Sequence, residues 1–122
     1  MFRILIVDDG AIFRQLLREV LSMKFPLAEV HEAVDAEEAF KKIQTLVFDF
    51  IFIDIHLRDQ NGLELAKRIK SAHPETTVII LTNYDAPEYR EVASQFGADH
   101  FMPKDSFVEM INTLSKSRRI PI

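Results

Sequence analysis

The chain has 122 residues, 48% apolar and 28% charged, the balance of one domain with one core. Nineteen acidic against fifteen basic residues give a formal charge of -4, which argues against a dedicated nucleic-acid surface. No cysteine is present, so disulfides, thiolate metal sites and cysteine nucleophiles are excluded. Met1 to Val7 is neither a signal peptide nor long enough to span a membrane. A cytoplasmic location, with no membrane partner, is the default expectation.

Phe2 to Val7 is a nearly continuous apolar run and predicts a first strand, ended by Asp8-Asp9-Gly10. Ala11 to Lys24 carries Ile12, Phe13, Leu16, Leu17, Val20 and Leu21 at helical spacing, and Pro26 closes the segment. Ala28 to Val34 interleaves Glu29, His31 and Glu32 with apolar residues and predicts a more exposed strand. Asp35 with Glu38 three residues later marks a helix start, with Ala36, Ala39, Phe40 and Ile43 as the apolar stripe. Phe50 to Ile53 is apolar without a break, as in a strand buried on both faces, and Asp54 ends it. Asn61-Gly62 opens a third helix from Leu63 to Ala72, where Glu64 and Arg68 are spaced to pair. Thr77 to Leu81 is a fourth strand stopping at Thr82. Asp85, Pro87 and Glu88 start a fourth helix that Gly97 ends, and Asp99 to Met102 is a short fifth strand. Ser106 with Glu109 opens a last helix, and Lys116, Arg118 and Arg119 sit where they favour the negative end of its dipole.

Five strands alternating with five helices predict an α/β fold: a parallel sheet with helices on both faces, residues 1–122 forming one domain. The apolar strands belong at the centre and the mixed ones at the edges. With right-handed crossovers this fits strand order 2-1-3-4-5, the doubly wound flavodoxin-like layout.

In that layout ligands bind beyond the carboxyl ends of the strands, at the point where the strand order reverses. Asp8 and Asp9 end the first strand, Asp54 the third and Thr82 the fourth; Lys104 follows the fifth. Three carboxylates packed together repel unless a cation joins them, and hard oxygen ligands suit Mg²⁺. A carboxylate beside such a metal can act as a nucleophile towards phosphorus. Mg²⁺ and Lys104 would neutralise charge on the transferred group, and Thr82 would donate to one of its oxygens. Taken singly, each residue has a plain reading: Asp8 or Asp9 as a helix cap, Thr82 as a strand-end hydroxyl, Lys104 as a solvated lysine. His31, His73 and His100 read as structural or solvated, and the aromatic residues mostly as core.

Four blocks carry a resemblance over essentially the whole chain: VDDG at Val7 to Gly10, FIDIHLRDQNG at Phe52 to Gly62, ILTNYD at Ile80 to Asp85, and GADHFMPKD at Gly97 to Asp105. In order and spacing they are similar to those of response-regulator receiver domains of two-component signalling. The resemblance implies that Asp54 accepts a phosphoryl group from a histidine kinase or phosphotransfer protein. It implies that Asp8, Asp9 and Asp54 hold Mg²⁺ with the backbone carbonyl of His56, and that Lys104 pairs with the phosphoryl group. Thr82 would follow that group and Phe101 would swing inward. The face made by the fourth helix, fifth strand and fifth helix would then change for a partner. No external substrate would be turned over, so the protein is expected not to be an enzyme beyond its own phosphorylation and dephosphorylation.

Several positions depart from the family's pattern. Arg58 stands where the family usually has proline, which predicts a less rigid loop or an exposed charge. Asn83 replaces a small residue and would narrow access to Asp54. Pro103 precedes Lys104 and Asp105 follows it, so the family's usual Lys-Pro signal for a cis peptide is missing. Tyr84 and His56 occupy positions that the family uses to tune the phosphoryl lifetime, so the resemblance implies an altered lifetime.

The competing function is a phosphate-independent receiver-like protein-interaction module, against which the full Asp8, Asp9, Asp54, Thr82 and Lys104 set speaks. A flavin-binding protein would need a phosphate-cradling loop where Asp8-Asp9 stands, and a phosphatase with an Asp nucleophile would need a cap domain or a second acid one residue away from that nucleophile. The start of the chain and the Lys104-Asp105-Ser106 stretch look closest to receivers that precede helix-turn-helix DNA-binding domains. No residues follow the fifth helix for such an output domain, so either a stand-alone receiver or part of a longer regulator is expected. Homodimerisation on phosphorylation is expected through the face containing Tyr89, His100 and Met110.

Overall fold

The computed structural model describes residues 1–83 and 87–116. Tyr84, Asp85, Arg118 and Arg119, which figured in the expectations above, lie outside the described residues. The elements run β1 (Arg3–Val7), α1 (Ala11–Lys24), β2 (Glu29–Ala33), α2 (Ala36–Thr45), β3 (Phe50–Asp54), α3 (Gly62–Ala72), β4 (Thr77–Thr82), α4 (Pro87–Gln95), β5 (His100–Pro103) and α5 (Phe107–Ser115). A short 3-10 turn, Lys104–Ser106, joins β5 to α5.

All the strand pairs are parallel and the order is β2-β1-β3-β4-β5, as the apolar content of the runs predicted. The mixed strand β2 and the short strand β5 are the edges. Alternation along the strands splits the core in two. Leu5, Val7, Ile51, Ile53, Val78, Ile80 and Phe101 face α2, α3 and α4. Ile4, Ile6, Phe50, Phe52, Ile79, Leu81 and Met102 face α1 and α5. Both layers are sealed, so the sheet brings its end residues to one rim.

Helix starts follow local chemistry, with two exceptions, and one expected pair along a helix is replaced. Asp35 caps α2 by accepting from Glu38 N–H at 2.9 Å, and Asn61 caps α3 by accepting from Leu63 N–H at 2.7 Å. Neither Asp8 nor Asp9 caps α1, because Gly10 occupies the N-cap position. Ser106 is the N-cap of α5 but makes no capping bond; its hydroxyl donates to the Pro103 carbonyl, 3.5 Å away, because the 3-10 turn has already folded the chain there. Arg68 does not pair with Glu64 along α3; its guanidinium lies over the Phe40 ring of α2 instead, 3.8 Å from the centroid. Gly97 ends α4 in the left-handed region, φ 94°, as a helix-ending glycine does.

Candidate functional site

The carboxyl ends of β1, β3, β4 and β5 and the loops beyond them build the site. Asp8 lies one residue past β1, and its N–H still reaches the Ala33 carbonyl at 3.1 Å, extending the sheet. Its own carbonyl accepts from Arg14 Nη1 (2.7 Å) and its Oδ1 accepts from Gly10 N–H (2.7 Å). That leaves Oδ2, which is buried and takes no directional hydrogen bond; it meets only the charge of Lys104 Nζ, 2.8 Å away. Asp54, the last residue of β3, is 6% exposed. Its Oδ1 accepts from His56 N–H at 3.0 Å, and its Oδ2 accepts from Lys104 Nζ at 3.2 Å. Lys104 therefore bridges two buried carboxylates from neighbouring strands and is not a solvated loop lysine.

Asp9 is exposed, but a carboxylate oxygen from each of Asp8, Asp9 and Asp54 falls within 4.8 Å of the others. Three carboxylates face one ammonium, a surplus of negative charge in a largely buried place. An oxygen that meets only an ammonium, beside two further carboxylates, belongs to a donor set that suits a hard divalent cation. Burial pushes the Asp54 carboxyl above its usual range and the negative charge of Asp8 adds to this, against the His56 N–H and the Lys104 charge. Burial alone would pull Lys104 down, but its contacts with Asp8 and the charge of Asp54 outweigh it and hold the ammonium above its usual range.

The loop after β3 is tied at several points. Gly62 N–H donates to the Ile55 carbonyl at 2.8 Å, and His56 bridges Asn61. A side chain at Gly62 would put its Cβ 2.1 Å from the Asp54 carbonyl oxygen, so only glycine lets α3 start this close to the acidic strand end. Asp59 accepts from the N–H groups of Ala36 (3.1 Å) and Glu37 (3.0 Å), binding the loop to the start of α2. Arg58 carries an exposed charge and reaches Asp35 at 3.5 Å.

Thr82 is buried at the end of β4, paired in register with Pro103. Phe101 is buried as well, its ring seated against the α2–α4 layer with the Arg90 guanidinium 5.0 Å from its centroid. His56 and Asn83 have exposed side chains. The structure thus gathers Asp8, Asp9, Asp54 and Lys104 directly, with Thr82 and the His56 backbone at the same rim. Sequence reasoning passed over Asp59 and Phe13, whose ring lies 4.6 Å from Lys104 Nζ. Phe13 looked like one more residue of an apolar helix stripe; its place at the start of that stripe, beside Asp8-Asp9, was the available signal.

The family model described as the response regulator receiver domain matches residues 4–115. The chain belongs to the response regulator receiver family. Among known relatives, the receiver is 31% identical to the sensory transduction protein LytT of Bacillus subtilis (strain 168) over 98% of this chain and 49% of LytT. It therefore spans about half the length of that relative. Among solved structures it resembles a response regulator from Burkholderia pseudomallei with a phosphorylated aspartic acid, calcium ion and citrate. That likeness has a TM-score of 0.84 at 27% identity, covering 96% of this chain and 68% of that one. It also resembles a CheY-like receiver domain protein from Methanospirillum hungatei JF-1, with a TM-score of 0.80 at 28% identity, covering 94% of both chains. This receiver has no helix, among its described residues, long and apolar enough to cross a membrane.

Proposed function

We propose that this receiver is a phosphorylation-dependent signalling switch with Asp54 as the acceptor. The carrying observation is the buried Asp8–Lys104–Asp54 bridge with its surplus of negative charge. An Asp54 carboxylate oxygen attacks the phosphorus of a phosphohistidine on a histidine kinase or phosphotransfer protein. The new O–P bond forms as the P–N bond breaks, and the departing imidazole nitrogen takes the electron pair. His56 N–H holds the other carboxylate oxygen and so orients the attacking one. Lys104 meets charge on the transferred oxygens from a position 3.2 Å from the acceptor. Thr82 donates its hydroxyl to one of those oxygens, and Phe101, on the neighbouring strand β5, follows. Asp8, Asp9 and Asp54, with the His56 carbonyl, would hold Mg²⁺; when bound, the ion neutralises charge on the phosphoryl oxygens.

The reading extends to the output. Residues 1–122 act as one domain, in the cytoplasm, and turn over no external metabolite. Phosphorylation changes the face of α4, β5 and α5, where Tyr89 and His100 are exposed, for self-association or for an output partner such as a DNA-binding domain. Intact mass after incubation with acetyl phosphate and Mg²⁺ tests the chemistry. One phosphoryl group is gained by the wild type and none by Asp54→Asn; no gain in the folded wild type, from acetyl phosphate or from a histidine kinase, sinks the proposal. Sedimentation with and without a stable phosphoryl mimic tests self-association, and unchanged mass in both removes it.

A further inference from the structure

Among the described residues, the Lys104 ammonium meets two charged groups and one aromatic ring. Its Nζ lies 2.8 Å from Asp8 Oδ2 and 3.2 Å from Asp54 Oδ2. On a third side it lies 4.6 Å from the centroid of the Phe13 ring. Phe13 sits in the first turn of α1 and packs edge to face on Phe107, with 5.2 Å between centroids and 69° between planes. Phe107 is the first residue of α5, and the 3-10 turn beginning at Lys104 leads straight into it. Lys104 and Phe107 thus hold one ring of α1 from two points of a single short segment.

An ammonium group is fixed only as well as its surroundings are. Two carboxylates attract it from neighbouring strand ends, and both have other attractions once a cation or a phosphoryl group arrives. A ring face adds an attraction that is electrostatic but carries no net charge, and it strengthens where water is excluded. An aliphatic side chain of similar size would fill the same space without that attraction.

We propose that Phe13 is a positioning residue for Lys104, its ring face holding the ammonium between Asp8 and Asp54 and its contact with Phe107 tying that position to the start of α5. This rests on the reading of Asp54 as a phosphoacceptor. Added negative charge at Asp54 re-aims Lys104, and the ring that Lys104 leaves or tightens against is the one that α5 begins on. The packing of α1 on α5 then responds to the site by a route separate from Phe101, which sits on the opposite side of the sheet.

The test separates a ring face from a filler. Phe13→Leu lowers the rate of Asp54 phosphorylation by acetyl phosphate about three- to tenfold, the scale of one partly desolvated cation–ring contact. Phe13→Tyr restores it to within about twofold, since the face is kept. Mono-, di- and trifluorophenylalanine, introduced at position 13 alone, keep the shape and lower the rate in graded steps. In the unphosphorylated, Mg²⁺-free protein, the Lys104 ε-methylene protons are shifted upfield by the ring in wild type and Phe13→Tyr, and not in Phe13→Leu. A fluorine series without a trend, or methylene shifts unchanged in Phe13→Leu, overturns the proposal. If the wild type takes up no phosphate at all, the phosphoacceptor reading fails, and the methylene shifts alone decide whether Phe13 holds the lysine.

Discussion

Aspartates stand at both ends of this sheet, and the two ends use them in opposite ways. At the amino ends, Asp49 accepts from the Arg3 N–H at 2.8 Å, and Asp99 accepts from the Val78 N–H at 2.8 Å and from Lys70 Nζ at 3.0 Å. Lys70 spends its remaining donors on the carbonyls of Pro74 and Thr76, both at 2.9 Å. Each group there has a partner that costs no burial of surplus charge. At the carboxyl ends, Asp8 and Asp54 take one N–H each from loop residues and then share a single lysine. Distances hardly differ between the two ends. What differs is that one arrangement is complete, and the other keeps an excess of buried carboxylate that a cation or a phosphoryl group would relieve or exploit.

Removing the lysine from each end tests that contrast most severely. Lys104→Ala strands two buried carboxylates and lowers stability by about 4 kcal/mol at neutral pH in urea unfolding. The loss shrinks on acidification, as the Asp54 carboxyl, already held above its usual range, takes a proton. Lys70→Ala, at the more exposed amino end, costs about 1 kcal/mol. Equal losses in the two variants would abolish the distinction.

The glycines at the two ends should differ next. Gly62→Ala drives a Cβ into the Asp54 carbonyl and costs about 3 kcal/mol, with phosphorylation of Asp54 impaired in parallel. Gly97→Ala meets only the Lys70 side chain, but at φ 94° it is strained by about 1 kcal/mol; it leaves the acceptor chemistry intact. Thermal melts beside phosphate uptake by mass would show both effects.

Charge removal at Asp54 should stabilise. Its carboxyl is raised in the folded state, chiefly by burial, so the ionised form costs stability above the folded value. Asp54→Asn therefore melts higher than wild type at neutral pH, and the gain fades as the pH falls towards the unfolded value. A lower melting temperature would mean that Lys104 fully compensates the charge.

Asp59 carries the opposite sign and the smallest effect. The slight desolvation of this exposed residue works against its ionisation, but the N–H groups of Ala36 and Glu37 outweigh this and hold its carboxyl below the usual range. Its contribution is present above the unfolded value and is lost as the pH falls through the folded one. Asp59→Ala costs about 1 kcal/mol at neutral pH, and the difference from wild type closes in acid. Paired acid titrations of Asp54→Asn and Asp59→Ala would expose the two signs.

Most of the architecture was legible because the strands are short and obey one rule each. Phe50 to Ile53 announces a strand covered on both faces; Glu29, His31 and Glu32 announce an edge. Asp54 was visible as a carboxylate out of keeping with the run before it. The misreadings come from competition between local and distant partners. The plain reading of Asp8 alone as a helix cap fails, since Gly10 takes that place and Asp8 meets Lys104, as its grouping with Asp54 suggested. Arg68 has Glu64 at the right spacing but finds the Phe40 ring on another helix. Asp59 and Phe13 were passed over because their partners, the start of α2 and the ammonium of Lys104, are near only after folding.

The two-sided core has one further consequence. A wall with sealed layers on both sides keeps the surfaces of α1 and α5 out of reach of those of α2, α3 and α4, except around its rim. The acidic cluster lies on that rim. If the acceptor chemistry is as proposed, one event there is adjacent to both sides of the wall at once, and a visitor on one side and a listener on the other would not compete for the same ground.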